Sequence, residues 1–182
     1  MAKQIVSGRL FFSDHHKAVL ECLLFISPEP LNPETMMEVA GLNKEDLEVI
    51  LAELDNECQS TARGIQLVKL AGGYQFMTKP EMAPYIEKLY KPHISLLSQA
   101  ALETLSIIAY RQPVTRAEIE QIRGVKVEGV LTSLLDKKLL REVGRKEGPG
   151  RPILYGTTKE FLRYFGLNSL DDLPVIEGIK GK

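Results

Sequence analysis

Residues 24–51, LFISPEPLNPETMMEVAGLNKEDLEVIL, and residues 107–134, IIAYRQPVTRAEIEQIRGVKVEGVLTSL, are one pattern written twice. At a constant offset of 83 positions, Leu24 falls on Ile107, Phe25 on Ile108, Pro30 on Pro113, Leu31 on Val114 and Met36 on Ile119. The match continues with Val39 on Ile122, Gly41 on Gly124, Leu42 on Val125, Leu47 on Val130 and Leu51 on Leu134. In each copy an apolar helical stretch is broken by proline, and Asn32 or Thr115 then stands where a side-chain oxygen can cap the open amides of a second helix. That helix is short and stops at Gly41 or Gly124, a residue that tolerates the left-handed turn before a third helix. Three short helices joined by tight turns form the skeleton of a helix-turn-helix, and its repetition divides the chain into two domains.

The flanking sequence extends each copy in the same way. A first helix runs from a cap at Ser13 or Asp14 to Ile26, with residues 1–13 expected to be an arm or a frayed end. The second helix covers residues 33–40 and the third residues 43–57, where Leu47, Ile50, Leu51 and Leu54 share one face. After Gly64 the period changes to two: residues 65–70 and 74–78 alternate about Ala71-Gly72-Gly73 and predict a hairpin. A helix follows over residues 81–90, and Lys91-Pro92 marks the boundary. The second copy predicts helices from Ser98, over 115–122 and over 126–138, a hairpin of 140–143 with 153–156, and a last helix ending at Phe165-Gly166. Gly129 inside the third of these helices predicts a close backbone approach, and the tail beyond Pro174 is expected to be unstructured.

Composition permits two packed cores. Hydrophobic residues make up 44% of the 182 and charged residues 26%, which excludes a wholly disordered chain. No apolar run approaches the roughly 20 residues that cross a bilayer, and residues 1–8 lack the apolar stretch of a secretion signal, so a cytoplasmic protein is expected. Cys22 and Cys58 fall within helical patterns as small buried or half-buried side chains. Residues 1–92 hold nine Lys/Arg against thirteen Asp/Glu, a net of −4, whereas residues 93–182 hold fourteen against eleven, a net of +3.

Reactive constellations are lacking in the sequence. His15-His16 with Cys22 do not read as a metal site, because adjacent helical residues point about 100° apart and no second Cys/His pair completes one. No phosphate-cradling glycine loop and no nucleophile with its base are present, and Asp171-Asp172 read as caps of a turn. An enzyme, and a hydrolase in particular, is therefore not expected. Nor is a cofactor.

DNA binding is the alternative, because a helix-turn-helix can place its third helix in the major groove. Residues 43–57 oppose it with one lysine, Lys44, against Glu45, Asp46, Glu48, Glu53, Asp55 and Glu57, a net of −5 on the docking helix. Phosphate neutralisation supplies essentially all non-specific affinity, and this helix repels phosphate. The third helix of the second copy is close to neutral, and only the hairpin tip, with Arg145, Lys146 and Arg151, could touch a nucleic-acid backbone. Direct DNA binding is expected to be weak or absent. Protein contact remains, with Leu10, Phe11, Phe12, Leu96, Leu97 and Phe161 as candidate exposed apolar residues.

Residues 97–119 with Ile122-Arg123-Gly124-Val125 resemble the second domain of segregation and condensation protein B. So do residues 149–158, Phe161-Leu162 with Phe165-Gly166-Leu167, and Ser169-Leu170-Asp171-Asp172-Leu173-Pro174. The first half matches more loosely, through Leu23-Leu24-Phe25 and Gly73-Tyr74-Gln75-Phe76. The resemblance implies a mainly α protein with small β-hairpin wings (α+β), made of two tandem winged-helix domains. These are residues 1–91, used for dimerisation, and 92–174, followed by a flexible tail at 175–182. It further implies a non-enzymatic, cytoplasmic and nucleoid-associated subunit of the condensin-like SMC complex. Such a subunit acts in chromosome condensation and partition, forms a homodimer and binds the kleisin, segregation and condensation protein A. It meets the SMC ATPase through the complex. The alternative is a winged-helix transcriptional regulator. For partner contact the expected residues are Leu105, Ile108, Tyr110, Arg111, Gln112, Arg151 and Tyr155.

Overall fold

The computed structural model describes the backbone of residues 2–90 and 96–175 and the side chains of residues 14–90 and 96–175. Two compact units divide the chain, Met1–His93 and Ile94–Lys182. Both are mainly helical with a small antiparallel sheet. The expected boundary at Lys91-Pro92, the side chains of Leu10, Phe11 and Phe12, and the tail at 176–182 lie outside the described residues.

In the first unit, α1 (Ala2–Ile26) is one continuous helix, so the chain does not begin its helix at Ser13 or Asp14. No proline interrupts residues 2–26, and the lone Gly8 costs only about 1 kcal/mol within a helix. Helix α2 (Pro33–Ala40) is capped by Asn32, whose Oδ1 accepts from Thr35 N at 2.8 Å, and ends at Gly41 with φ +66°. Helix α3 (Lys44–Cys58) is capped by Asn43 on Asp46 N at 2.8 Å. Each such cap contributes about 1 kcal/mol by satisfying an otherwise open amide. Leu20, Leu24, Met36, Leu47, Ile50, Leu51 and Leu54 meet in the core. Strands β1 (Ile65–Leu70) and β2 (Gly73–Thr78) pair across a two-residue turn, Ala71-Gly72, with φ of +51° and +79°. Both angles are those of the turn that suits a twisted hairpin, and Gly73 belongs to β2 rather than to the turn. A 3-10 turn, Pro80–Met82, leads into α4 (Ala83–Tyr90). Cys58 is buried, and burial pushes its thiol above the ordinary value, whereas Cys22 is exposed, because it lies on the face of α1 turned away from Leu20 and Leu24.

The second unit begins with α5 (Gln99–Arg111), capped by Ser98, and a two-residue strand β3 (Val114–Thr115). Helix α6 (Arg116–Arg123) carries a reciprocal capping box between Thr115 and Glu118 and stops at Gly124 with φ +71°. Helix α7 (Glu128–Asp136) is shorter than the expected span, since Lys126 and Val127 are not helical and Glu120 Oε1 accepts from Val127 N at 3.2 Å. A Cβ on Gly129 would meet nothing within 4 Å, so the expected close backbone approach is absent there. Strands β4 (Leu140–Arg145) and β5 (Ile153–Thr157) form the hairpin, and β3 joins β5 to make a three-stranded sheet of order β3-β5-β4. Helix α8 (Lys159–Phe165) and a 3-10 turn, Leu170–Asp172, complete the unit. Its core gathers Leu105, Ile108, Ile119, Val127, Leu131, Leu134, Leu139 and Phe161.

Burial corrects the constant offset. Phe25 is 83% exposed whereas Ile108, its expected counterpart, is 0% exposed. Instead Leu20 and Leu24 take the buried places of Thr104 and Ile108, at an offset of 84. Past the second helix, Leu47, Leu51 and Leu54 take those of Val127, Leu131 and Leu134, at an offset of 80. One more residue separates Leu24 from Pro30 than Ile108 from Pro113, and three more separate Gly41 from Leu47 than Gly124 from Val127. Only the segment from the proline to the glycine holds at 83.

Candidate protein-docking surfaces

Helix α3 buries Leu47, Ile50, Leu51, Leu54 and Cys58 and turns its acids outward. Lys17 Nζ reaches Glu57 at 2.8 Å and Glu53 at 3.6 Å, which draws the Glu57 carboxyl below and the Lys17 ammonium above their ordinary values. Lys44 and Arg63 approach Glu48 and Glu57 at 3.9 Å. The outer face of α3 remains acidic, and such a face does not neutralise phosphates.

Helix α4 has no buried side chain, although only Glu87 and Lys88 of its eight residues are charged. Tyr85, Leu89 and Tyr90 are 68%, 74% and 73% exposed. Tyr85 and Leu89 stand four residues apart on one helix face. Phe25 and Ile26, at the end of α1, are likewise exposed. Large apolar side chains left outside in this number make this end of the unit a candidate docking surface.

In the second unit, a cleft of about 320 Å³ lies between α5 and α8, lined by Leu105, Ala109, Tyr110, Phe161, Phe165 and Leu173, among others. Thr158 caps α8 by accepting from Phe161 N at 3.1 Å and donates to Lys138 O at 2.6 Å, which fixes the first turn of the helix. The rings of Phe161 and Phe165 are 4.9 Å apart. Gly166, with φ +69°, turns the chain back along the cleft, and the Tyr110 hydroxyl donates to Pro174 O at 2.6 Å. Asp172 accepts from Asn168 N and Ser169 N, so of the Asp171-Asp172 pair it is Asp172 that caps the turn.

A second cleft in this unit, about 280 Å³, is lined by Arg116, Arg145, Arg151, Pro152, Ile153 and Tyr155. Tyr155 is buried beneath it, and desolvation raises its hydroxyl above the ordinary tyrosine value. A third, of about 430 Å³, is lined by Gln112, Pro113, Val143, Leu154, Gly156 and Leu170.

The seven residues expected to touch a partner are thereby separated. Leu105 and Tyr110 share the α5–α8 cleft, Arg151 and Tyr155 share the arginine cleft, and Gln112 lines the third. Gln112 is committed to the fold, since its amide donates to Ala109 O and Thr157 Oγ1 and accepts from Thr157 N at 2.7 Å. Ile108 is wholly interior and has no surface to offer, while Arg111 is exposed. Of the other apolar candidates Leu96 is exposed, but Leu97 and Phe161 are buried in the core of the second unit with Leu105, Ile108 and Leu134. Sequence reasoning placed α4 but not its exposed apolar face, named Arg145 only as a hairpin-tip contact for a nucleic-acid backbone, and missed Arg116. The available signal for α4 was an apolar face on a helix with no further element in its domain to cover it.

Among the described residues no group of three His, Cys, Asp or Glu could hold a metal ion, and no helix is long and apolar enough to cross a membrane. The chain is thus a mainly helical α+β protein of two similar modules, whose distinctive surfaces are apolar side chains and clustered arginines. The family model described as segregation and condensation complex subunit ScpB matches residues 18–176, and the chain belongs to that family. Segregation and condensation protein B of Moorella thermoacetica is 53% identical over 170 residues, covering 93% of this chain and 87% of its own. That of Symbiobacterium thermophilum is 53% identical over 164 residues, covering 90% and 75%. Among solved structures, ScpB from Mycobacterium tuberculosis is 35% identical, covers 85% of this chain and 97% of its own, and superposes with a TM-score of 0.41. A dimer of an ScpB N-terminal domain complexed with ScpA peptide is 38% identical over 42% of this chain and 92% of its own, with a TM-score of 0.40.

Proposed function

We propose that the protein is a non-catalytic scaffold of a prokaryotic SMC–kleisin complex, acting in chromosome condensation and segregation at the nucleoid in the cytoplasm. It is built of two tandem winged-helix domains, residues 1–91 and 92–174. The first carries the homodimer contact, and the kleisin, segregation and condensation protein A, is the protein ligand. The SMC ATPase is reached through the complex, and DNA is not read directly. The observation that carries this reading is α4, a helix that leaves Tyr85, Leu89 and Tyr90 uncovered, in a chain whose family is described as a complex subunit. Uncovered apolar helix faces are the usual means of holding a partner helix or a second copy. The acidic face of α3 supports a protein rather than a polyanion as ligand.

Calorimetry with the central segment of the kleisin tests the ligand, and light scattering tests the assembly. The expected results are a dissociation constant at or below micromolar, and a solution mass about twice the 20.4 kDa chain. No heat at micromolar concentration overturns the kleisin reading. A mass of one chain overturns the dimer.

A further inference from the structure

Arg116 opens α6, Arg145 ends β4 and Arg151 lies in the β4–β5 connection, yet the three line one cleft. The sheet order β3-β5-β4 brings them together, because Val114 and Thr115 of β3 pair with Tyr155 and Leu154, and Arg145 pairs with Ile153. Their charge is unevenly answered. Arg116 is held by Glu128 at 3.2 Å and Glu120 at 3.9 Å. Neither Arg145 nor Arg151 is ion-paired among the described residues. Arg145 donates one bond, from Nη1 to Arg151 O at 3.2 Å, out of the five donors a guanidinium carries. Pro152, Ile153 and the buried Tyr155 line the same cleft and give it apolar surface beside the arginines.

Two arginines free of ion pairs among the described residues, lining a cleft with Pro152, Ile153 and Tyr155, suit a carboxylate that takes guanidinium donors while its neighbours rest on carbon. They do not fit a continuous polyanion. Glu128 stands beside Arg116 and Glu142 stands opposite Tyr155 in the sheet, so phosphates spaced along a duplex would meet acids on either side of the arginines. We propose that this cleft is an anchor for a single acidic side chain within an acidic–apolar peptide segment of the partner, with Arg145 and Arg151 holding the carboxylate. The proposal rests on the scaffold reading above and specifies the chemistry of one contact in it.

The test uses the full chain and a labelled, end-blocked peptide of alternating glutamate and leucine, followed by fluorescence anisotropy at ~0.15 M salt. Parallel probes are the same peptide with glutamine for glutamate, and a labelled DNA duplex. The glutamate peptide is expected to bind, and the glutamine peptide to bind about tenfold more weakly. The double variant Arg145→Ala/Arg151→Ala should lose about tenfold, and Arg145→Lys/Arg151→Lys, which keeps charge but not the fork, should fall between. Thermal unfolding of each variant separates lost contact from lost fold. Unchanged peptide binding in both double variants overturns the proposal, as does tighter binding of the duplex than of the peptide. The kleisin central segment is titrated into wild type and the alanine variant alongside. Equal binding to both removes the anchor and leaves the scaffold standing, whereas no binding to wild type removes the scaffold reading, and anisotropy still decides the cleft.

Discussion

Lys146 Nζ lies 2.6 Å from Glu118 Oε1 and fastens the tip of the β4–β5 hairpin to the capping box of α6. The other oxygen of that carboxylate accepts from Thr115 N and Thr115 Oγ1, both at 2.8 Å. The lysine first, and the Thr115 donors after it, hold the Glu118 carboxyl down at about 2 against an ordinary 4.5. A pKa lower in the folded state gives stability that is fully present above about 4.5 and disappears as pH falls toward 2. Because the Glu118 side chain is 41% exposed, solvent screening reduces the contribution to about 1 kcal/mol. Urea unfolding is expected to show the wild type losing more stability than Glu118→Gln between about pH 5 and pH 2.5. Parallel pH profiles would rule out Glu118 as the source.

Two glycines should respond to alanine with opposite signs. Leu31 and Tyr74 exchange backbone hydrogen bonds of 2.8 and 2.9 Å, and a Cβ on Gly73 would stand 2.7 Å from Leu31 O and 2.9 Å from Pro30 C. Those atoms are backbone and cannot swing aside, so Gly73→Ala should cost about 2 kcal/mol or more. Gly129 is helical with open space at its Cβ, and Gly129→Ala should gain about 0.5–1 kcal/mol. Thermal melts of the two variants decide the pair, and a loss at Gly129 would contradict the open site.

Lys138 ends α7 in the left-handed region with φ +57°, where Leu139 N donates back to Leu134 O at 3.0 Å. A side chain in that conformation costs about 1 kcal/mol that glycine avoids, and Lys138 is exposed. Lys138→Gly is expected to raise the unfolding free energy by about 0.5–1 kcal/mol. A variant less stable than wild type would show that the lysine contributes a contact outweighing the strain.

The caps and stops of both second helices were legible, because Asn32, Thr115, Gly41 and Gly124 act within one or two turns of chain and their signals are local. The register of the flanking helices was not. Phe25 and Ile108 are chemically alike and sit at the same offset, yet one is exposed and the other buried, since the insertions lie in turns that similarity of side chains does not report. The third strand was missed for a related reason: Val114 and Thr115 are too few to alternate, and they become a strand only by pairing with Tyr155 and Leu154. The same pairing joins Arg116 to Arg145 and Arg151. Distance along the chain hid the place of Arg116 beside the two hairpin-tip arginines, which the sheet order makes.

If α4 is covered by a second copy, its apolar face should matter to assembly and not to folding. Tyr85 and Leu89 are exposed and α4 buries nothing, so Tyr85→Gln/Leu89→Gln, which also keeps helix propensity, should change the unfolding free energy of an isolated chain by no more than about 0.5 kcal/mol. A large apolar side chain buried at an interface contributes about 1.5–3 kcal/mol, and loss of even one such contribution weakens association by about tenfold or more. Sedimentation equilibrium across a concentration series reads this directly. Weakened self-association with an unchanged melt of the dilute chain is the expected result. Undiminished self-association would move the dimer contact away from α4, and a large fall in the dilute melt would mean that the helix packs on its own domain.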